Sequence, residues 1–139
     1  MKKPLLIFAL KCSIIVYFAA CTGIDHYLSA ESATPHVTKG TWKINLFQNN
    51  NTTQTNEFGG YTLTFDPIGK IKVVKNGKIT TGNWSEDEIA NRITINLDTN
   101  DPVLTKLNDY WNVSSITQSG VSFNNHEGSS KGRLQITSL

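Results

Sequence analysis

From Gly40 onward, apolar and polar residues alternate with a period of two. Trp42, Ile44 and Leu46 interleave with Thr41, Lys43 and Asn45, and Tyr61, Leu63 and Phe65 interleave with Thr62 and Thr64. Ile71 and Val73, then Ile93, Ile95 and Leu97, then Trp111 and Val113, Val121 and Phe123, and Leu134 and Ile136 repeat the pattern. One apolar and one polar face per strand marks an antiparallel sheet wetted on one side. The Thr, Ile, Val and aromatic residues favour strands by propensity as well. The pattern predicts strands over 41–48, 59–66, 70–75, 78–84, 91–97, 110–117, 120–124 and 132–138.

The punctuation agrees with these strands. Lys75-Asn76-Gly77-Lys78 is a two-residue hairpin signal, because Asn and Gly both tolerate positive φ. Asp66-Pro67-Ile68-Gly69 suits a type I turn, and Ser119-Gly120 joins two later strands tightly. Around Thr80-Thr81-Gly82 the parity breaks: Ile79 and Trp84 cannot share a face, which predicts a β-bulge near Gly82. The one helix signal is Asp101-Pro102, an N-cap followed by proline at the first helical position. Val103, Leu104 and Leu107 would form the buried stripe of one or two turns capping an end of the sheet.

Short links between consecutive strands favour an all-β, up-and-down antiparallel barrel of about eight strands with one short helix. The alternative is a two-sheet sandwich. Strands of about six residues, tilted ~40°, give a barrel roughly 15 Å tall. The alternating apolar residues, with Ile79 and Trp84, are enough to fill so small an interior at normal packing density.

The first residues follow a different logic. Lys2 and Lys3 precede an apolar stretch from Pro4 to Ala20 interrupted by Lys11. It is short for a membrane span, and the internal lysine is costly there. It does suit a secretory signal peptide over residues 1–20. The stretch ends in Phe18-Ala19-Ala20-Cys21, which resembles a bacterial lipobox, with Phe18 where leucine is usual. The resemblance implies cleavage before Cys21 and acylation of that cysteine, palmitate being one such acyl group. With several acyl tails the anchor to the membrane would be stable. Thr22 after the cysteine implies sorting to the outer membrane, on its periplasmic or surface face. Residues 21–39 lack sustained periodicity and predict a flexible tether of about 25 Å root-mean-square reach, leaving 40–139 as the folded domain.

Gly40-Thr41-Trp42 at the first strand matches the Gly-x-Trp of lipocalins, and Arg133 near the last strand sits where lipocalins place a basic residue over that tryptophan. Tyr61-Thr62-Leu63-Thr64-Phe65, Gly82-Asn83-Trp84 and Leu107-Asn108-Asp109-Tyr110-Trp111-Asn112-Val113 follow in order. Over residues 40–139 the series resembles small lipocalin-like lipoproteins of Bacteroidetes-type bacteria. Gly40, Trp42, Trp84, Trp111 and Arg133 are its structural landmarks. In lipocalins the first long loop covers the barrel mouth, and the corresponding stretch here is the polar run Asn49 to Glu57. Ligand contacts would then come from Asn51 and Thr53 in that loop and from Phe58 and Tyr61 beside it; the alternatives are a solvated connection and an aromatic pair that anchors the second strand.

Charge narrows the function classes. Of thirteen cations, Lys2, Lys3 and Lys11 fall in the leader, and all eleven acids lie beyond it. What remains has ten cations against eleven acids, which is no nucleic-acid footprint. Cys12 and Cys21 are the only cysteines, so the domain has no disulfide framework or cysteine nucleophile. Ser85-Glu86-Asp87-Glu88 and Asp98-Thr99-Asn100-Asp101 read as solvated acidic turns, the second failing the looped calcium pattern. His26, His36 and His126 form no pair with metal-ligand spacing. Neither a Gly-x-Ser-x-Gly elbow nor a phosphate-binding glycine loop is present. The expectation is a non-enzyme without metal or cofactor. It would bind a small apolar ligand or, alternatively, an envelope protein as an accessory or inhibitor with a filled core.

Overall fold

The computed structural model describes residues 31–125 and 131–139. The expected signal peptide, Cys21, His26 and His126 lie outside them. A short helix α1 (Thr34–Val37) leads into β1 (Thr41–Asn49), β2 (Thr52–Thr53), β3 (Thr62–Phe65), β4 (Lys70–Lys75) and β5 (Lys78–Asp87). They are followed by β6 (Arg92–Leu97), β7 (Asp109–Ile116), β8 (Gly120–Asn125) and β9 (Gly132–Ser138). Single 3-10 turns cover Thr55–Phe58 and Leu104–Leu107.

Eight strands form an up-and-down antiparallel barrel, with β2 as an extra short strand. β9 pairs back onto β1 from Trp42↔Ser138 to Asn49↔Gly132, which closes the sheet and excludes the sandwich. On its other side β1 meets β3 through only Thr41↔Thr64 and Trp42↔Leu63. The splayed part of this seam is covered by β2 and the Thr55–Phe58 turn, where Thr55 Oγ1 accepts from the Phe47 amide at 2.9 Å.

Nearly all the alternating apolar residues are buried in one core, the exceptions being Leu46, Tyr61, Ile79 and Val113. Two exceptions have a local cause in the register. A bulge between Ile44 and Leu46 turns Leu46 outward and carries Phe47 into the core instead. In β5 the pairing with β4 and β6 runs through Gly82 without a shift, so the expected bulge is absent there. The parity conflict is resolved by Ile79, which faces outward and is 60% exposed. Gly82 serves close strand packing instead. A Cβ on it would meet Asn96 O at 2.2 Å and Leu97 Cα at 2.6 Å, so β5 and β6 approach this closely only around a bare backbone.

The turns obey their chemistry. Asn76 and Gly77 take φ of 50° and 76°, as a type I′ hairpin requires. Asp101 caps the Leu104–Leu107 turn, its Oδ1 accepting from the amides of Val103 (2.8 Å) and Leu104 (3.3 Å). The loop from Asn49 to Glu57 is more ordered than its composition suggested. Asn50 and Asn51 adopt left-handed φ of 48° and 63° and make a second two-residue hairpin between β1 and β2.

The folded unit also begins before Gly40, where a tether had been expected. Ala33 and Val37 are fully buried. Glu86, expected in a solvated turn, instead sits on β5 and accepts hydrogen bonds from this segment. The donors are Ser32 Oγ (2.8 Å), the amides of Ala33 (2.6 Å) and Thr34 (2.9 Å), and Thr34 Oγ1.

The three tryptophans tie the covers to the wall. Trp42 Nε1 donates to Val37 O (2.7 Å), Trp84 Nε1 to Asp66 O (2.9 Å) and Trp111 Nε1 to Leu107 O (2.9 Å). A buried indole N–H needs such a partner, and here each partner belongs to a turn or cap rather than to a strand. Arg133 does not lie over Trp42. It sits between inward Gly132 and Leu134, so it points out to solvent, and it pairs in register with Gln48 while Trp42 pairs with Ser138 at the far end of β9.

Candidate functional site

Both ends of the barrel carry covers. The N-terminal segment and the turns at residues 66–69, 88–91 and 117–119 surround one end. The other end, here the mouth, gathers the β1–β2 hairpin, the two 3-10 turns and the Asn76-Gly77 turn. Phe58 and Leu104 seal the mouth from above, 2% exposed each, and Phe47 meets Phe58 at 4.7 Å between ring centroids. Lys106 Nζ reaches across to Glu57 Oε2 (2.5 Å) and Gln54 Oε1 (3.1 Å), joining the two 3-10 turns into one cover.

Beside this cover a depression of about 230 Å³ remains. Its floor is Val73 and Leu104, its wall Tyr61 and the inward-facing Thr80, and its rim Lys75 and Lys78. Strand parity places both lysines. Ile71 and Val73 point into the barrel, so Lys75 continues their row, and Lys78 is its register partner across the hairpin. Lys75 Nζ stands 4.2 Å from the centroid of the Tyr61 ring. Among the described residues no carboxylate pairs with either ammonium within 4.0 Å.

Asp101 lies at the same depression but is already engaged. Its carboxylate accepts from Val103 and Leu104 and from Tyr61 Oη at 3.1 Å. The Val103 amide, then the Leu104 amide, Tyr61 and the charge of Lys78, outweigh desolvation and hold the Asp101 carboxyl below its ordinary value. Desolvation raises the Tyr61 phenol, with the Asp101 hydrogen bond and charge acting the same way.

The expected ligand residues do not come together. Tyr61 is at the depression, while Phe58 is packed into the core beneath the cover. Asn51 and Thr53 sit exposed on the β1–β2 hairpin, where Thr53 Oγ1 accepts from Gln48 Nε2 at 3.2 Å. Lys75, Lys78 and Asp101 were not among the residues expected at a site. The signal for the lysines was present, since extending the Ile71–Val73 parity by one step turns both inward.

A larger hollow, about 550 Å³, lies on the outer wall over β3, β4 and β5. Lys72, Thr64 and Thr81 line it, and its Lys70 Nζ already donates to Asn83 Oδ1 at 2.8 Å. It lies on the wet face of the wall, whereas the mouth depression sets Tyr61, Val73 and Leu104 beside two lysines and Asp101. Among the described residues no group of three His, Cys, Asp or Glu side chains is placed to hold a metal ion.

No protein-family model and no curated protein matches the chain. Solved structures do. A DUF4847 family protein from Bacteroides vulgatus superposes with a TM-score of 0.60 at 13% identity, over 78% of this chain and 98% of that one. A lipocalin-like protein from Bacteroides uniformis superposes with a TM-score of 0.53 at 17% identity, over 73% and 98%. At these identities the likeness is one of fold: the barrel is lipocalin-like.

Proposed function

We propose that the chain is a lipid-anchored envelope protein whose barrel is a non-catalytic binding module, taking a small ligand at its mouth rather than in its interior. One observation carries the proposal. The interior is filled by side chains from Trp42 to Ile136, yet the mouth keeps an apolar-floored depression rimmed by two ammoniums, neither with a described carboxylate within 4.0 Å. At about 230 Å³ it lies below the 300–1,000 Å³ of ordinary ligand pockets, so its ligand is smaller than a drug-sized molecule. The Phe18-Ala19-Ala20-Cys21 sequence supports attachment to the outer membrane through acylated Cys21.

Two experiments test this reading. In nuclear magnetic resonance titrations with small molecules, ligands should shift the resonances of Tyr61, Lys75, Thr80 and Leu104 and leave Ile44 and Ile95 in place. A ligand that moves the interior set would contradict it. For the anchor, Cys21→Ser should abolish acyl labelling and leave the precursor uncleaved, and persistent labelling would refute acylation at Cys21. The outer-wall hollow supports a second use, contact with an envelope protein, which cross-linking from Lys72 in whole cells would detect.

A further inference from the structure

Lys75 and Lys78 are directly opposite each other across the β4–β5 hairpin. Like charges in such a pair destabilise a sheet, because their Cβ atoms lie about 5 Å apart. The hairpin needs no lysine at either place, since Asn76 and Gly77 alone supply its turn. The register also turns both side chains to the barrel's inner face, at the rim of the mouth. No ion pair within 4.0 Å joins either ammonium to a described residue; Asp101, which accepts from two amides and a phenol, acts on Lys78 only at longer range. The Tyr61 ring beside Lys75 and the charge of Asp101 acting on Lys78 answer part of this cost, and two ammoniums against one carboxylate, at the edge of an open depression, mark a site completed by a ligand.

We propose that the mouth binds a compact organic monoanion: a carboxylate on a short aliphatic or aromatic body. The inference rests on the binding-module reading and names the ligand class of that site. The carboxylate head lies between the Lys75 and Lys78 ammoniums, where charge-assisted hydrogen bonds form. Among the described residues lining the depression, two ammoniums against the one Asp101 carboxylate leave a single positive charge to neutralise, which selects a monoanion. The body rests on Leu104, Val73 and the Tyr61 ring, the apolar part of the depression. It stays short because Phe58, Leu104 and Leu107 close the way inward.

The test is a titration of the full chain in zwitterionic nanodiscs, with empty nanodiscs as the blank and hexanoate, benzoate, decanoate, hexanamide and inorganic phosphate as probes. Hexanoate and benzoate should bind at the mouth resonances. Lys75→Met and Lys78→Met should each weaken binding about tenfold or more, while Lys72→Met, on the same strand but outward, should change it less than about twofold. Decanoate should bind within about threefold of hexanoate. If its four extra methylenes were buried, affinity would rise by roughly two orders of magnitude, and the short-body inference would be overturned. Phosphate binding as tightly as hexanoate would also overturn it, because the apolar floor would then play no part. If hexanamide equals hexanoate, the anion class falls and the binding mouth stands. If no probe moves any mouth resonance, both readings fall.

Discussion

At the end where the chain enters the barrel, Glu86 gathers donors from Ser32, Ala33 and Thr34, and Trp42 holds the Val37 carbonyl. At the mouth, Trp111 likewise holds Leu107, and Lys106 bridges to Glu57, but Lys75 and Lys78 face each other with no described carboxylate within 4.0 Å of either ammonium. Both ends use an indole to bind a cover to the wall. They differ in how charge is held. At the entry end four neutral donors from the N-terminal segment converge on the Glu86 carboxylate. The mouth completes its hydrophobic seal and leaves a surplus of positive charge at the rim. One end is a cover built to stay, the other a rim built to receive something.

The largest effect should come from removing the aromatic anchors, which act alike at both ends. Trp42→Ala and Phe58→Ala should each cost about 3–5 kcal/mol in urea unfolding, since each ring is buried and its loss leaves a cavity. A cost under about 1 kcal/mol for Trp42→Ala would mean that the entry end is held by Glu86 alone. Because Trp42 also holds Val37, that variant should expose the Ser32–Val37 segment to protease, while Phe58→Ala should leave it protected.

The Glu86 contacts come next. Replacing the carboxylate by alanine strands two amides and two hydroxyls and should cost about 1–3 kcal/mol. The effect should depend on pH. Burial alone would raise the Glu86 carboxyl, but the Thr34 hydroxyl, Ala33 amide, Ser32 hydroxyl and Thr34 amide outweigh it and hold it below its ordinary value. The unfolded chain therefore takes up its proton first as pH falls. The contribution is fully present above the unfolded value of about 4.3 and is lost as pH falls through the lower folded value. The stability gap between the protein and Glu86→Gln should accordingly narrow between pH 5 and pH 3, measured as urea midpoints. A gap constant over that range would show that the carboxylate is not the acceptor that matters. The other depressed carboxyl, Asp101, is intact in both proteins and cancels from the difference.

The same contrast explains what was legible in the sequence. Alternation and turn chemistry placed the eight barrel strands, because period two, Asn76-Gly77 and Asp101-Pro102 are local signals. The bulge at Asn45 was not legible, since Leu46 and Phe47 are both apolar and the core accepts either. Ile79 misled because an apolar residue at an outward position looks like a parity error. The segment from Ser32 to Val37 looked like linker because its two buried side chains, Ala33 and Val37, gain their partners only when the barrel end exists. Glu86 looked solvated for the same reason, as its donors lie more than fifty residues away. Phe58, open between a ligand contact and an anchor, takes the second role: it lies under the cover against Phe47, a residue that enters the core only through the bulge. The mouth lysines were within reach, since their placement needs nothing beyond parity.

The smallest effect is the most discriminating. If Lys75 and Lys78 are only solvated surface charges, removing one should leave stability unchanged. If their mutual repulsion outweighs the attraction of Lys78 to Asp101, Lys78→Thr should stabilise the unliganded protein by about 0.2–1 kcal/mol, because a like-charge cross-strand pair becomes a neutral one with better strand propensity. Propensity alone would give the same sign, so the readout is the salt dependence. Repulsion is screened as ionic strength rises. The advantage of Lys78→Thr should therefore shrink between low salt and about 1 M, where the Debye length falls to roughly 3 Å. Lys70→Thr, whose ammonium is already satisfied by Asn83, should show no such trend. An advantage for Lys78→Thr that does not depend on salt would assign the effect to the strand and remove the electrostatic argument for a ligand at the mouth.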